Sequence, residues 1–145
     1  MIGGARRRLL SFAALHADTV SFAFSGPGGF KADASEERTL RRLEWVREAA
    51  GGRFGEIELE ALVHVRFGTS RTAAASEASA RTGVPSEWLL RSPHLLFGTA
   101  AEMAETLQER RARYGFSYFS VRPREEMERF ADVISMLAAA ERPAH

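Results

Sequence analysis

The stretch IELEALVHVRF, residues Ile57–Phe67, decides the fold class of this 145-residue chain. Every odd-numbered position of the stretch is apolar, whereas most even-numbered positions hold glutamate, histidine or arginine. An alternation of this length would scatter apolar side chains around a helix, but it gathers them on one face of a strand. The pattern therefore predicts a long strand with one apolar face and one polar face.

Helix and strand patterns alternate on both sides of this strand. The predicted elements are a strand stub at 1–2, a helix over 5–16, a β run at 19–24, a helix over 33–50, the long strand at 57–67, helical segments at 71–82 and 86–90, a brief apolar run at 95–97, a helix over 99–114, a strand at 116–121 and a final helix over 124–140. Alternating β and α elements favour a parallel sheet with right-handed crossovers. The fold class predicted is therefore α/β, with about four strands and a long excursion after the long strand.

Local signals mark the start of the second long helix. Ser25–Phe30, SGPGGF, is typical of a loop because of its glycine and proline content. Asp33 followed by Glu36 predicts a capping box that opens the helix. Further along this helix, Leu40 is expected on the apolar face together with Leu43, Val46 and Ala50.

Composition excludes several classes of protein. With 45% hydrophobic and 27% charged residues, the chain is globular rather than disordered. No apolar run is long enough for a membrane span, and no secretory signal is visible, so a cytoplasmic protein is expected. The absence of cysteine excludes disulfides and thiolate sites, and the scattered histidines predict no metal site. The net charge of +1 argues against a nucleic-acid-binding module.

The length of the chain sets a limit on the architecture. A complete eight-fold β/α barrel needs at least about 200 residues, so residues 1–145 are expected to form a single domain smaller than that. An isolated parallel sheet of about four strands has two open edges and an exposed inner wall. The pattern is therefore typical of the back half of a larger unit.

Ligands of parallel α/β folds bind at the carboxyl ends of the strands, and one of these ends combines glycine with arginine. Gly3 and Gly4 precede a helix whose first turn carries Arg6 and two further arginines. Cations are unfavourable at a helix N-terminus unless an anion lies among them. One interpretation is a cradle for a phosphate or pyrophosphate. The other is a basic helix start surrounded by solvent.

Three further residues are candidates for contact with a substrate or cofactor. His64 and Arg66 lie on the polar face of the long strand near its carboxyl end, and His94 follows Ser92–Pro93 in a predicted loop. The alternative for the strand residues is a solvent-facing or internally paired polar stripe, and the alternative for His94 is a solvated loop histidine. No Ser–His–Asp set and no carboxylate pair stands out, so catalytic residues stay unknown. Chemistry carried by a cofactor fits such a chain better than chemistry carried by side chains.

Several segments together resemble one family. MIGGARRRLLSFAALHADTVSF (1–22), LEWVREAAGGRFGEIELEALV (43–63) and SPHLLFGTAAEMAETLQERRARYGFSYFSV (92–121) are similar to consecutive strand and helix segments of the bacterial luciferase-like monooxygenase family. Within that family, the branch that uses the deazaflavin coenzyme F-420 is the most similar. The resemblance covers almost the whole chain but only the C-terminal half of the family's barrel.

The resemblance implies a partial TIM (β/α)8-type barrel, made of about the last four β/α units with an insertion after the long strand. It implies an F-420- or FMN-dependent oxidoreductase that transfers a hydride or carries out monooxygenation on a small-molecule substrate. Gly3, Gly4, Ala5 and Arg6 match the loop that meets the cofactor phosphates. Residues 68–98 match the mobile insertion that often forms a lid.

The resemblance also indicates which partners could complete the barrel and which alternative function is possible. The first four strands of the family's barrel have no counterpart in this chain, so a homodimer or a missing N-terminal half is expected to complete the barrel. Whether the chain alone is active is an open question. The alternative function is a non-catalytic half-barrel that dimerises and binds no cofactor.

Overall fold

The computed structural model describes residues 1–24 and 33–143. Its strands are β1 (Ile2–Gly4), β2 (Thr19–Phe22), β3 (Glu58–Phe67), β4 (Leu95–Gly98) and β5 (Phe116–Arg122). Its helices are α1 (Arg7–His16), α2 (Glu36–Ala50), α3 (Arg71–Thr82), α4 (Ser86–Arg91), α5 (Ala100–Tyr114) and α6 (Met127–Ala140), with 3-10 turns at Gly51–Glu56 and Arg124–Glu126.

All strand pairs of the sheet are parallel, and the long strand β3 lies at its centre. Strand β1 pairs with β2, and β2 pairs with the first half of β3. Glu60 of β3 is opposite Ser21 of β2 and also opposite Tyr118 of β5. Strands β2 and β5 therefore lie on opposite edges of β3. The predicted parallel sheet is confirmed.

The short strand β4 extends the same edge of β3 that β2 occupies. His64 is opposite Leu95 of β4 and Arg122 of β5, which places β4 and β5 on different edges. Because β2 ends at Phe22, the second half of that edge is open for β4 to pair with. The apolar run at 95–97, which the sequence pattern does not mark as a strand of the sheet, is thus a fifth strand.

The two faces of β3 are as the alternation predicts. Leu59, Ala61, Val63 and Val65 are buried beneath the helices. They join two apolar clusters, one beneath α1 and α2 and the other beneath α5 and α6. The even-numbered residues face the opposite side of the sheet, where Ser21 Oγ donates a hydrogen bond to the buried carboxylate of Glu60.

The start of α2 differs from the prediction. Its N-cap is Ser35, whose Oγ accepts a hydrogen bond from the Arg38 N–H at 3.2 Å. The predicted capping box is wrong because the Asp33 carboxylate binds the Arg42 guanidinium, at 2.6 Å. Leu40, predicted to lie on the apolar face of this helix, is 40% exposed. The predicted loop at Ser25–Phe30 lies outside the described residues.

Residues 68–98 form a packed unit of α3, α4 and β4. Its own apolar cluster consists of Ala74, Ala75, Ala78, Leu89, Leu95 and Phe97. Buried Arg110 of α5 fastens this unit to the rest of the fold, since its guanidinium donates to the carbonyls of Ser92 and Pro93, both at 3.0 Å. The chain thus contains four β/α units, with an additional packed segment between β3 and α5.

Candidate functional site

The carboxyl ends of β1, β2, β3 and β5 lie at the same end of the sheet, along an edge that runs across the strands. We call this edge the carboxyl rim, and it consists of Gly3–Arg6, Ala23–Phe24, His64–Gly68 and Arg122. Because the strands are parallel, their following loops all leave the sheet on this side. The sequence candidates Gly3, Gly4, Ala5, Arg6, His64 and Arg66 all lie on the carboxyl rim.

The first turn of α1 concentrates positive charge on the carboxyl rim. Arg6 is the N-cap residue, and the turn contains no acidic residue. Arg7 forms an exposed ion pair with Glu48 at 3.4 Å, whereas Arg6 and Arg8 have no acidic partner within residues 1–24 and 33–143. The backbone N–H groups of such a first turn have no partner inside their own helix.

Close packing explains both glycines at the end of β1. A Cβ atom on Gly3 would lie 2.8 Å from Ser21 Cβ, and one on Gly4 would lie 2.4 Å from Leu9 Cδ2. Real Cβ atoms avoid both distances, so β1 needs glycine at position 3 to approach β2, whereas a side chain at position 4 would have to displace the Leu9 side chain. Room for an anion, the reason suggested by the sequence pattern, is not needed to account for these two residues.

Arg42 connects the loops of the carboxyl rim and is the main residue that sequence reasoning missed. Its side chain is 1% exposed. It donates to the carbonyls of Ala5, Ala23 and Asp33, each at 3.1 Å, as well as to the Asp33 carboxylate. Burial lowers the pKa of Arg42, while the charge of Asp33 raises it. Arg42 thereby holds the β1 and β2 loops in one arrangement.

His64 lies at the middle of the carboxyl rim and is partly buried. Its ring centroid is 5.2 Å from that of Phe24, which follows β2. Burial lowers the pKa of His64, and the positive charges of Arg122 and Arg66 lower it further. His64 is therefore a neutral imidazole at pH 7, next to two cations.

Arg66 and Arg122 are the exposed cations of this part of the rim. Arg66 borders a cavity of about 90 Å³ together with Phe67, Glu77 and Arg81. Arg122 ends β5 directly across from His64. Three strand ends of the carboxyl rim, those of β1, β3 and β5, therefore each carry arginine.

His94 lies away from any open surface. It is 0% exposed, its Nδ1 lies 2.8 Å from the Leu62 carbonyl oxygen, and its Nε2 lies 3.3 Å from Thr39 Oγ1. Burial lowers the pKa of His94 to about 4, so it is neutral at pH 7. This arrangement contradicts the interpretation of His94 as a ligand-facing or solvated loop residue and favours a role in packing the segment that leads into β4 against β3.

Comparisons with known proteins identify the fold. The structure is similar to a long-chain alkane monooxygenase (LadA; TM-score 0.59, 16% identity), to flavoprotein 390 (TM-score 0.59, 13% identity) and to an F420-dependent secondary alcohol dehydrogenase solved with an F420-acetone adduct (TM-score 0.54, 14% identity). No family model matches the sequence, and no curated protein matches it either. At these identities the likeness establishes the fold, and the predicted partial-barrel fold class is confirmed.

The likeness covers nearly all of this chain but only part of the others. The matched region is 95–97% of this chain, compared with 39%, 64% and 48% of the three similar chains. The chain thus spans less than two thirds of the length of each. Among the helices within residues 1–24 and 33–143, none has the length and apolar character to cross a membrane.

Proposed function

We propose that this chain forms the last four β/α units of a luciferase-like oxidoreductase barrel and binds an anionic deazaflavin or flavin coenzyme along its carboxyl rim. Of the two coenzymes, F-420 is favoured over FMN because the sequence resembles the F-420 branch of the family. In agreement with this, one structurally similar protein is F420-dependent and another is a flavoprotein by name. The substrate would be a small molecule.

The observation that carries this proposal is the pair of unpartnered arginines at the start of α1. Each cation at a helix N-terminus costs about 0.3–1 kcal/mol, because the helix dipole is positive at that end. A bound phosphate would offset this unfavourable free energy, because it would interact favourably with the helix dipole, the free backbone N–H groups and the guanidinium of Arg6. Gly3–Arg6 would therefore hold the phosphate end of the coenzyme.

The remainder of the carboxyl rim fits the same kind of ligand. Arg66 and Arg122 add positive charge beside the neutral imidazole of His64 and the aromatic ring of Phe24. The two cations would attract an anionic group, and the imidazole and the aromatic ring would contact a planar, hydrogen-bonding part of the same ligand. The bound coenzyme would supply hydride transfer or oxygen activation, and His64 and Arg66 would face coenzyme or substrate. Residues 68–98 would cover the site as a lid.

Replacing Arg6 with glutamate tests this proposal. Losing a charge-assisted contact to phosphate and adding repulsion should weaken F-420 binding at least about tenfold. Titration with F-420 and with FMN, followed by absorbance and fluorescence, measures the effect. The matched control is Arg142→Glu, which makes the same charge change beyond the end of α6, at the opposite end of the fold from the rim. Equal affinity of both variants would rule out the cradle at Gly3–Arg6.

The alternative is a half-barrel that associates with other chains and binds no coenzyme. Exposed apolar side chains on α1 and α6 favour association, with Phe12 at 53% and Ile134 at 54% exposed. The same titration separates the two functions. Saturable binding of either coenzyme supports the oxidoreductase, and no binding by an assembled, folded protein supports the alternative.

A further inference from the structure

Both outer edges of the sheet lack a strand partner within residues 1–24 and 33–143. In this described part of the chain, β1 pairs with β2 alone and β5 pairs with β3 alone. Unpaired backbone N–H and C=O groups on a sheet edge attract another strand. Each edge can therefore accept a further strand, and a closed β/α barrel results when that strand is parallel.

Helix α1 presents an apolar surface beside the open β1 edge. Leu9, Phe12 and Leu15 are 42%, 53% and 55% exposed, and their three-residue spacing places them in one stripe, which we call the α1 stripe. Helix α2 contacts α1 on another side, where Arg7 pairs with Glu48. At about 100° per residue, the α1 stripe faces away from α2. The helices described in residues 1–24 and 33–143 leave this stripe exposed.

Helix α6 presents a second apolar surface, following the open strand β5. Met127 and Ile134 are 44% and 54% exposed and lie seven residues apart, which places them on one face, the α6 stripe. Arg129 and Asp132 border a cavity together with Thr99 at the start of α5. Because those positions are about half a turn from the α6 stripe, the stripe faces away from α5.

The two helices carry opposite charges at their N-terminal ends. Residues 6–8 are three arginines, and no acidic residue stands in the first turn of α1. Residues 124–132 contain four acidic residues and only two arginines. Both segments directly follow a strand end at the carboxyl rim. A junction between α1 and the α6 of another chain would therefore pair opposite charges as well as two apolar stripes.

We infer that two copies of this chain associate head to tail, with β1 and α1 of each beside β5 and α6 of the other. Four strands of each copy, β1, β2, β3 and β5, form a continuous series, because β4 shares an edge with β2. Two copies related by a two-fold axis then give eight parallel strands and two identical junctions. Eight is the number of strands that closes a β/α barrel and leaves no open edge.

This association goes beyond coenzyme binding, because it also completes the carboxyl rim. The Gly3–Arg6 turn of one copy becomes a neighbour of Arg122 in the other copy, and the polar faces of both sheets become the interior of one ring. The association is measured without any coenzyme, so its failure and the failure of the proposed function are separate results.

Sedimentation of the chain over a range of concentrations tests the inference, and a dimer is expected. Phe12→Glu and Ile134→Glu should each shift the protein to a monomer, because each buries a charge in both junctions of the dimer. The matched controls are Leu40→Glu and Met136→Glu, at side chains that are 40% and 43% exposed and lie outside both stripes. All four positions are exposed, and circular dichroism verifies folding. A monomeric parent chain, a larger assembly, or equal effects of controls and stripe variants would overturn the inference.

A pair of charge reversals tests the head-to-tail arrangement itself. Arg8→Glu and Glu128→Arg should each weaken the homodimer about tenfold, because each places like charges at both junctions. In a mixture of the two variants, every junction again pairs opposite charges, so a heterodimer of nearly parental stability should form. A mixture that associates no better than either variant alone would overturn this arrangement.

Discussion

Replacing Arg42 with methionine is expected to lower the free energy of unfolding by about 3–5 kcal/mol. The substitution removes the Arg42 side of a buried ion pair, whose other member, the Asp33 carboxylate, is only 8% exposed. Three backbone carbonyls, those of Ala5, Ala23 and Asp33, lose their donor at the same time. Because two of these carbonyls belong to the carboxyl rim, coenzyme binding should weaken together with stability.

Urea unfolding followed by circular dichroism measures this loss, and the neighbouring arginine provides the control. Arg41 forms an exposed pair with Glu37 at 3.9 Å, and such pairs contribute little to stability. Arg41→Met should therefore change the free energy of unfolding by less than about 0.5 kcal/mol. Similar losses in both variants would show that the Arg42 network does not stabilise the fold.

Acidification should destabilise the protein through His94. The pKa of His94 is about 4 in the folded state and about 6.5 in an unfolded chain. Between these values the unfolded state binds a proton that the folded state does not. The contribution of neutral His94 to the free energy of unfolding is therefore fully present above pH 6.5. As the pH falls to 4, the free energy of unfolding decreases by up to about 3 kcal/mol.

Unfolding free energies measured at intervals from pH 7.5 to 4.5 test this dependence. The variant His94→Gln should be less stable than the parent at pH 7.5 but should have a flatter profile over this range. His64, whose pKa is also lowered, contributes a dependence of the same sign that remains in the variant. A parental slope in His94→Gln would contradict the assignment.

The candidate site was predictable only in part. Parallel strands place their following loops at one edge, so the sequence order alone brings Arg6, His64 and Arg66 to the carboxyl rim. The contact between Phe24 and His64 was not predictable, because it depends on where β2 stops relative to β3. The same is true of the glycines, since the distances from Gly3 to Ser21 and from Gly4 to Leu9 depend on how β1 packs.

The sequence by itself determined the long central strand, the two chemically different faces of that strand and the parallel α/β order. These follow from periodicity and element order, which are local properties of a chain. Only the tertiary structure decided that Arg42 and His94 are buried and that β4 continues the edge of β2. The reason is that a polar side chain is buried where distant backbone carbonyls converge on it, and a strand pairs where another has ended. Neither condition can be inferred from the residues that are adjacent in the sequence.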